Sequence, residues 1–82
     1  MSYKVNFGTV KNGDTKEFSV QVEKPVSYVG GTCWCTSPTF EGNTVKAKVA
    51  CRGKSGTTQE RTVNGKYADG EDFKIEIQFN IQ

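Results

Sequence analysis

Histidine is absent from this chain of 82 residues, and with it goes the imidazole that most often serves as general base, as activator of a nucleophile or as zinc ligand. Long apolar runs are missing too. No stretch of roughly 18 apolar residues exists, so nothing reads as a membrane-spanning helix. The opening Met1-Ser2-Tyr3-Lys4-Val5-Asn6-Phe7 lacks the apolar core of a secretory signal, and the expectation is synthesis and folding in a cytoplasm. Charge of one sign is scarce: eleven basic and nine acidic residues leave +2, far from the basic excess that counterion-release binding to nucleic acid needs. Neither a nucleic acid nor a membrane is expected as partner. The three cysteines are an odd number, whereas a small secreted disulfide scaffold carries an even one, so mostly reduced thiols are expected.

What the chain does have is large rings and alternation. Five Phe, three Tyr and one Trp stand within a 34% apolar composition and supply much buried area per residue. A chain this short hides only roughly 60 to 65% of its unfolded surface, enough for a thin core between two layers and not for a deep substrate cavity. Residues 1–82 therefore read as one domain. Tyr3, Val5 and Phe7 alternate with polar residues in the period of a half-buried strand. Asn12-Gly13-Asp14 is a turn signal ahead of a second run, Phe18, Val20 and Val22. Pro25 ends that run, and Val26, Tyr28 and Val29 open a third segment in which Gly30-Gly31 suggests a bulge and Ser37-Pro38 a stop.

Val45, Ala47, Val49 and Cys51 alternate with Thr44, Lys46, Lys48 and Ala50, a strand apolar on one side and mostly solvated on the other. Residues 57–63 read as a polar, Thr-rich strand at a sheet edge, closed by Asn64-Gly65. Ala68-Asp69-Gly70 then turns the chain into Phe73, Ile75, Ile77, Phe79 and Ile81, the clearest alternating run in the sequence. Six to seven short strands with no helical periodicity predict an all-β, immunoglobulin-like β-sandwich.

Several constellations bear on chemistry. Cys33, Cys35 and Cys51 offer three soft donors for zinc or copper but no fourth ligand; small core hydrophobes are the plainer reading. Cys33 and Cys35 stand at the limit of bridgeable separation along an extended strand, whereas Cys51 pairing with either remains open. No base accompanies any thiol, and Asp69, Glu71 and Asp72 flank a turn where carboxylates are ordinarily solvated. No catalytic residue, metal site or cofactor is assigned, and the chain is read as a non-enzyme. Trp34 is the first candidate for a partner contact: if Cys33 and Cys35 face the core it points outward as an interface anchor, and in the opposite parity it packs inward. Phe40, placed in a loop from Ser37 to Gly42, shares that ambiguity. Lys46 and Lys48 lie on a strand's outer side, where such lysines form a solvated face and block edge pairing, or dock on an acidic protein surface.

Phe7-Gly8-Thr9-Val10, then Gly13 and Phe18-Ser19-Val20, then Thr32-Cys33-Trp34-Cys35-Thr36, then Gly53-Lys54-Ser55-Gly56-Thr57, and the closing Phe79-Asn80 together resemble a bacterial immunoglobulin-like family of unknown function. That family is related to the abnormal-spindle/Hydin-type domains and is marked by an S-C-G-C-T motif. The resemblance covers nearly the whole chain. Trp34 departs from the family's central glycine, and Arg52-Gly53 stands where the family has Pro-Gly. The resemblance implies a sandwich serving assembly or surface interaction, with no catalytic residues to carry over. By analogy with the small free-standing domains of this type on tailed bacteriophage particles, it implies a virion accessory protein that decorates a capsid or attaches to a neck or tail, with capsid or tail proteins as partners. Two alternatives stand beside it: a cellular module binding a protein or carbohydrate through Trp34 and adjacent loops, and a thiol-based metal carrier.

Overall fold

The computed structural model describes residues 2–31 and 36–82. Seven strands are present among them: β1 (Ser2–Val10), β2 (Asp14–Gln21), β3 (Val26–Gly31), β4 (Thr36–Glu41), β5 (Thr44–Cys51), β6 (Thr58–Tyr67) and β7 (Asp72–Ile81). They form a four-stranded sheet in the order β1-β7-β6-β3 and a three-stranded sheet in the order β2-β5-β4. Placing the third, sixth and seventh strands opposite the second, fifth and fourth is the immunoglobulin arrangement. The first strand joins the sheet of the last and runs parallel to it, so the fold is the expected all-β sandwich.

Alternation drives the layering. The inward residues of β7 (Phe73, Ile75, Ile77, Phe79, Ile81) and of β5 (Val45, Ala47, Val49, Cys51) are all buried and meet between the sheets with Val10, Phe18, Val22, Val26, Val63 and Tyr67. Each large side chain fully removed from water there contributes on the order of 2 kcal/mol. β1 lays Tyr3, Val5 and Phe7 against the same core. It is bent by a bulge between Asn6 and Thr9, where Gly8 takes φ +72° and donates its N–H to Asn6 Oδ1 at 2.7 Å. That is a position where the left-handed backbone calls for glycine.

Three expectations are corrected. Residues 57–63 are not an edge strand: β6 lies between β7 and β3 and runs unbroken through Asn64-Gly65, which pair with Lys74 and Phe73 of β7. Gly65 serves space and not a turn, because a Cβ there would fall on the Phe73 ring. The Ser37–Gly42 loop is instead mostly β4, which pairs with β5 from Thr36 to Glu41; Pro38 is tolerated because β4 is an edge strand. The bulge expected at Gly30-Gly31 falls earlier, between Val26 and Tyr28, while Gly30 and Gly31 remain paired with Asn64 and Val63.

Hydrogen bonds tie the connections into two poles. At one, Gly13 N donates to Cys51 O, Gly56 N to Ile81 O and Gln82 N to Val10 O, each at 2.8 Å. At the other, Val22 N donates to Asn43 O, Val26 N to Gly42 O and Ala68 N to Pro25 O, at 2.8 to 2.9 Å.

Candidate binding surface

The outer face of the three-stranded sheet gathers two of the four residues singled out from the sequence. Antiparallel register sets Lys46 between Ser19 of β2 and Thr39 of β4, and Lys48 between Glu17 and Ser37. Residues directly opposite across antiparallel strands share a face, so these side chains stand together. They line a shallow depression of about 560 Å³, floored by Phe18 and Ala47. Because β5 is the middle strand, the lysines guard no edge, which corrects that part of the expectation.

The two lysines differ electrically. Lys48 Nζ lies 3.5 Å from Glu17 Oε1, with both side chains about two-thirds exposed, a pair worth little in water. Lys46 makes no ion pair with any described residue, so the face carries an uncompensated positive charge ringed by hydroxyls.

Phe40 does not join them. It pairs with Val45, a residue of the core side, so its ring belongs to the inward side of an edge strand and not to a loop. It is 41% exposed there, at the sandwich's margin. Trp34, with Cys33 and Cys35, lies outside the described residues.

Lys24, not singled out from the sequence, joins the acidic residues of the β6–β7 turn in a second cluster, at the pole holding the β2–β3 and β6–β7 turns. Lys24 Nζ reaches Asp69 Oδ2 at 2.7 Å and Glu71 Oε2 at 2.8 Å, and lies 4.7 Å from the centroid of the Tyr67 ring. Glu71 N donates to Asp69 Oδ1 at 3.0 Å, which holds the Asp69 carboxylate in place. Asp72, the third acid of the turn, pairs with Lys66 at 2.7 Å. The three carboxylates are exposed, as expected of a solvated turn, and each also meets a lysine. The turn itself was legible, but the partner lysine lies 45 positions away from Asp69, and no local pattern points to it.

This cluster favours the charged forms of its members. Hydrogen bonds donated to Asp69 and then to Glu71 push the Lys24 ammonium well above the usual lysine range, and Lys24 holds Asp69 below the usual carboxylate range. Amide condensation between such a pair would need a neutral amine and a protonated carboxyl; both shifts run the other way.

Cys51 is a free thiol with no exposed surface, directed at Val49 O at 3.6 Å. Burial pushes its pKa up, the reverse of what a reactive or ligating thiolate requires. Among the described residues no three His, Cys, Asp or Glu side chains come together as a metal-holding group.

No protein-family model matches the chain, and no curated protein matches it in sequence. A solved structure does match in shape: the 2,6-sialyltransferase of Photobacterium sp. JT-ISH-224, in a ternary complex with CMP and lactose, superposes with a TM-score of 0.58 at 16% identity over 99% of this chain. The match takes in 18% of the enzyme's chain, so this chain spans under a fifth of that protein's length, and the likeness concerns the sandwich fold alone.

Proposed function

We propose that this chain is a non-enzymatic binding module that docks on a larger protein assembly through the outer face of its three-stranded sheet, the assembly being a bacteriophage capsid, neck or tail. The observation that carries the docking is Lys46, an uncompensated ammonium in a hydroxyl-lined depression on the middle strand. Such a face suits an acidic protein surface, and charge complementarity there would speed encounter and fix orientation. The assignment to a virion rests on analogy with the small immunoglobulin-like domains of tailed phage particles, the sequence itself resembling a bacterial immunoglobulin-like family of unknown function. A module of this kind acts by mass action, stabilising the assembled particle by binding it better than the free subunits.

The metal-carrier alternative gains nothing from Cys51, whose thiol faces the core. The test is quantitative mass spectrometry of intact particles purified from the source culture, with copy number referred to the most abundant shell protein. Copies comparable to the shell subunit mean capsid decoration, and a small symmetric number means a neck or tail position. Absence from every particle overturns the virion assignment. Incorporation undiminished by Lys46→Glu with Lys48→Glu overturns the docking face.

A further inference from the structure

The outer face of the four-stranded sheet differs from the lysine face in both charge and aromatic content. Its lysines beside β3 and β6 are compensated: Lys66 pairs with Asp72 at 2.7 Å and Lys74 with Glu76 at 3.6 Å. Tyr28 is the aromatic on this face among the described residues, and it is 56% exposed. In an extended strand residues i and i+2 project from the same side, so Tyr28 shares its side with Gly30. The ring lies along the strand over that glycine, its hydroxyl and outer carbons filling the space a Cβ at position 30 would take. A side chain that large on a solvated strand is usually free to swing; here the missing Cβ gives it a seat.

Polar groups of both kinds continue from the ring across the sheet. Gly30 is paired with Asn64, Asn64 with Lys74, and Lys74 with Ser2. Ser2, Asn64, Asp72 and Lys74 border a shallow depression of about 220 Å³ over Phe73. From the Tyr28 strand to β7 is two strand spacings, about 10 Å, the length of two linked sugar rings.

We propose that Tyr28 and this depression bind an uncharged oligosaccharide, one pyranose resting its C–H face on the tyrosine ring and the next placing its hydroxyls among Asn64, Lys74 and Asp72. The local charge pairing disfavours an ionic ligand. A pyranose hydroxyl both donates and accepts, and the site offers the Asn64 amide, the Lys74 ammonium as donor and the Asp72 carboxylate as acceptor. The site lies on the sheet opposite the lysine face and does not depend on the virion assignment.

The test is titration of the nitrogen-15-labelled chain with cellotriose, maltotriose and chitotriose, followed by amide chemical shifts. The expected result is saturable millimolar binding to at least one of them, with shifts centred on Tyr28, Gly30, Asn64 and Lys74. Tyr28→Ala should weaken it about tenfold or more at an unchanged melting temperature, and Tyr28→Phe should retain it. Asn64→Ala and Lys74→Ala, both exposed, decide the matter equally if Tyr28→Ala folds poorly. No saturable shift with any of the three sugars overturns the proposal, as do shifts centred elsewhere or binding indifferent to these substitutions.

Discussion

The hydroxyl of Tyr3 lies 2.9 Å from the hydroxyl of Tyr67, joining residues 64 positions apart on strands that β7 separates. Both rings press on Phe73, Tyr67 stacked at 4.7 Å between centroids and Tyr3 edge-on at 6.3 Å. Glu23 N donates to the Tyr3 oxygen at 3.0 Å, which brings the β2–β3 turn into the same arrangement. The pair is the polar closure of an otherwise apolar core end.

Removing one hydroxyl measures that closure. Tyr67→Phe keeps the ring stacking and leaves Tyr3 with its remaining partner, so the expected loss is about 1 kcal/mol. The expected readout is a lower urea midpoint with an unchanged slope; an unshifted midpoint would mean that water replaces the bond without cost.

The same hydroxyl sets an alkaline limit. Burial, and then the hydrogen bond shared with Tyr3, push the Tyr67 pKa up to about 12, so the native state holds a proton that the unfolded chain releases near 10. The group's contribution is full below about pH 10 and declines as pH rises through that value towards 12. Stability of the parent chain should fall across that window more steeply than that of Tyr67→Phe, as read from urea midpoints at successive pH values.

Gly65 and Phe73 make a lock that a single methyl group would jam. Gly65→Ala places a Cβ on the Phe73 ring, which is 3% exposed and packed against Tyr67 and has no room to retreat. The expected loss is about 2 kcal/mol, within the range for overpacking. The double variant Gly65→Ala with Phe73→Leu should lose less than the sum of the two single changes, and strict additivity would disprove the contact.

That lock also explains which parts of the fold were legible. β5 and β7 announce themselves because every second side chain is apolar and buried, so alternation and burial coincide. β6 does not: its inward positions are Gln59, Arg61, Val63, Gly65 and Tyr67, of which Gly65 is emptied for a ring supplied by β7 and Arg61 packs its guanidinium 5.5 Å from the Phe79 centroid. Read alone, Asn64-Gly65 is a turn, and only the neighbouring strand shows why the glycine is there. β4 was hidden by Pro38, which stops a central strand but not an edge one. On the lysine face, the alternation placed Lys46 and Lys48 on one side correctly, while their hydroxyl neighbours come from β2 and β4 through pairings the sequence does not encode locally.

The Lys24 cluster should be visible in the acid limb of stability. Asp69 is held below its ordinary value of 3.8, first by the hydrogen bond from Lys24. Its contribution is therefore present above that value and is lost as pH falls through the lower native one. Asp69→Asn should flatten the decline in melting temperature below about pH 4, and moderate salt should narrow the gap between the two proteins by screening an exposed pair.

Cys51 gives the last test, of the core itself. Its thiol has no exposed surface and a raised pKa, so thiolate is scarce and access requires opening of the structure. In a chain carrying Cys33→Ser and Cys35→Ser, alkylation of Cys51 by iodoacetamide should be slow under native conditions and should accelerate in step with unfolding as urea is added. β5 is the middle strand of its sheet, and Cys51 closes it against Asp14, whose neighbour Gly13 donates to the Cys51 carbonyl at 2.8 Å. Fraying of that pole alone would expose the thiol before the rest of the sandwich opens. Labelling that follows the global urea transition therefore places this end of β5 in the cooperative core, whereas labelling that runs well ahead of it assigns the β1–β2 pole to a weaker, locally opening unit.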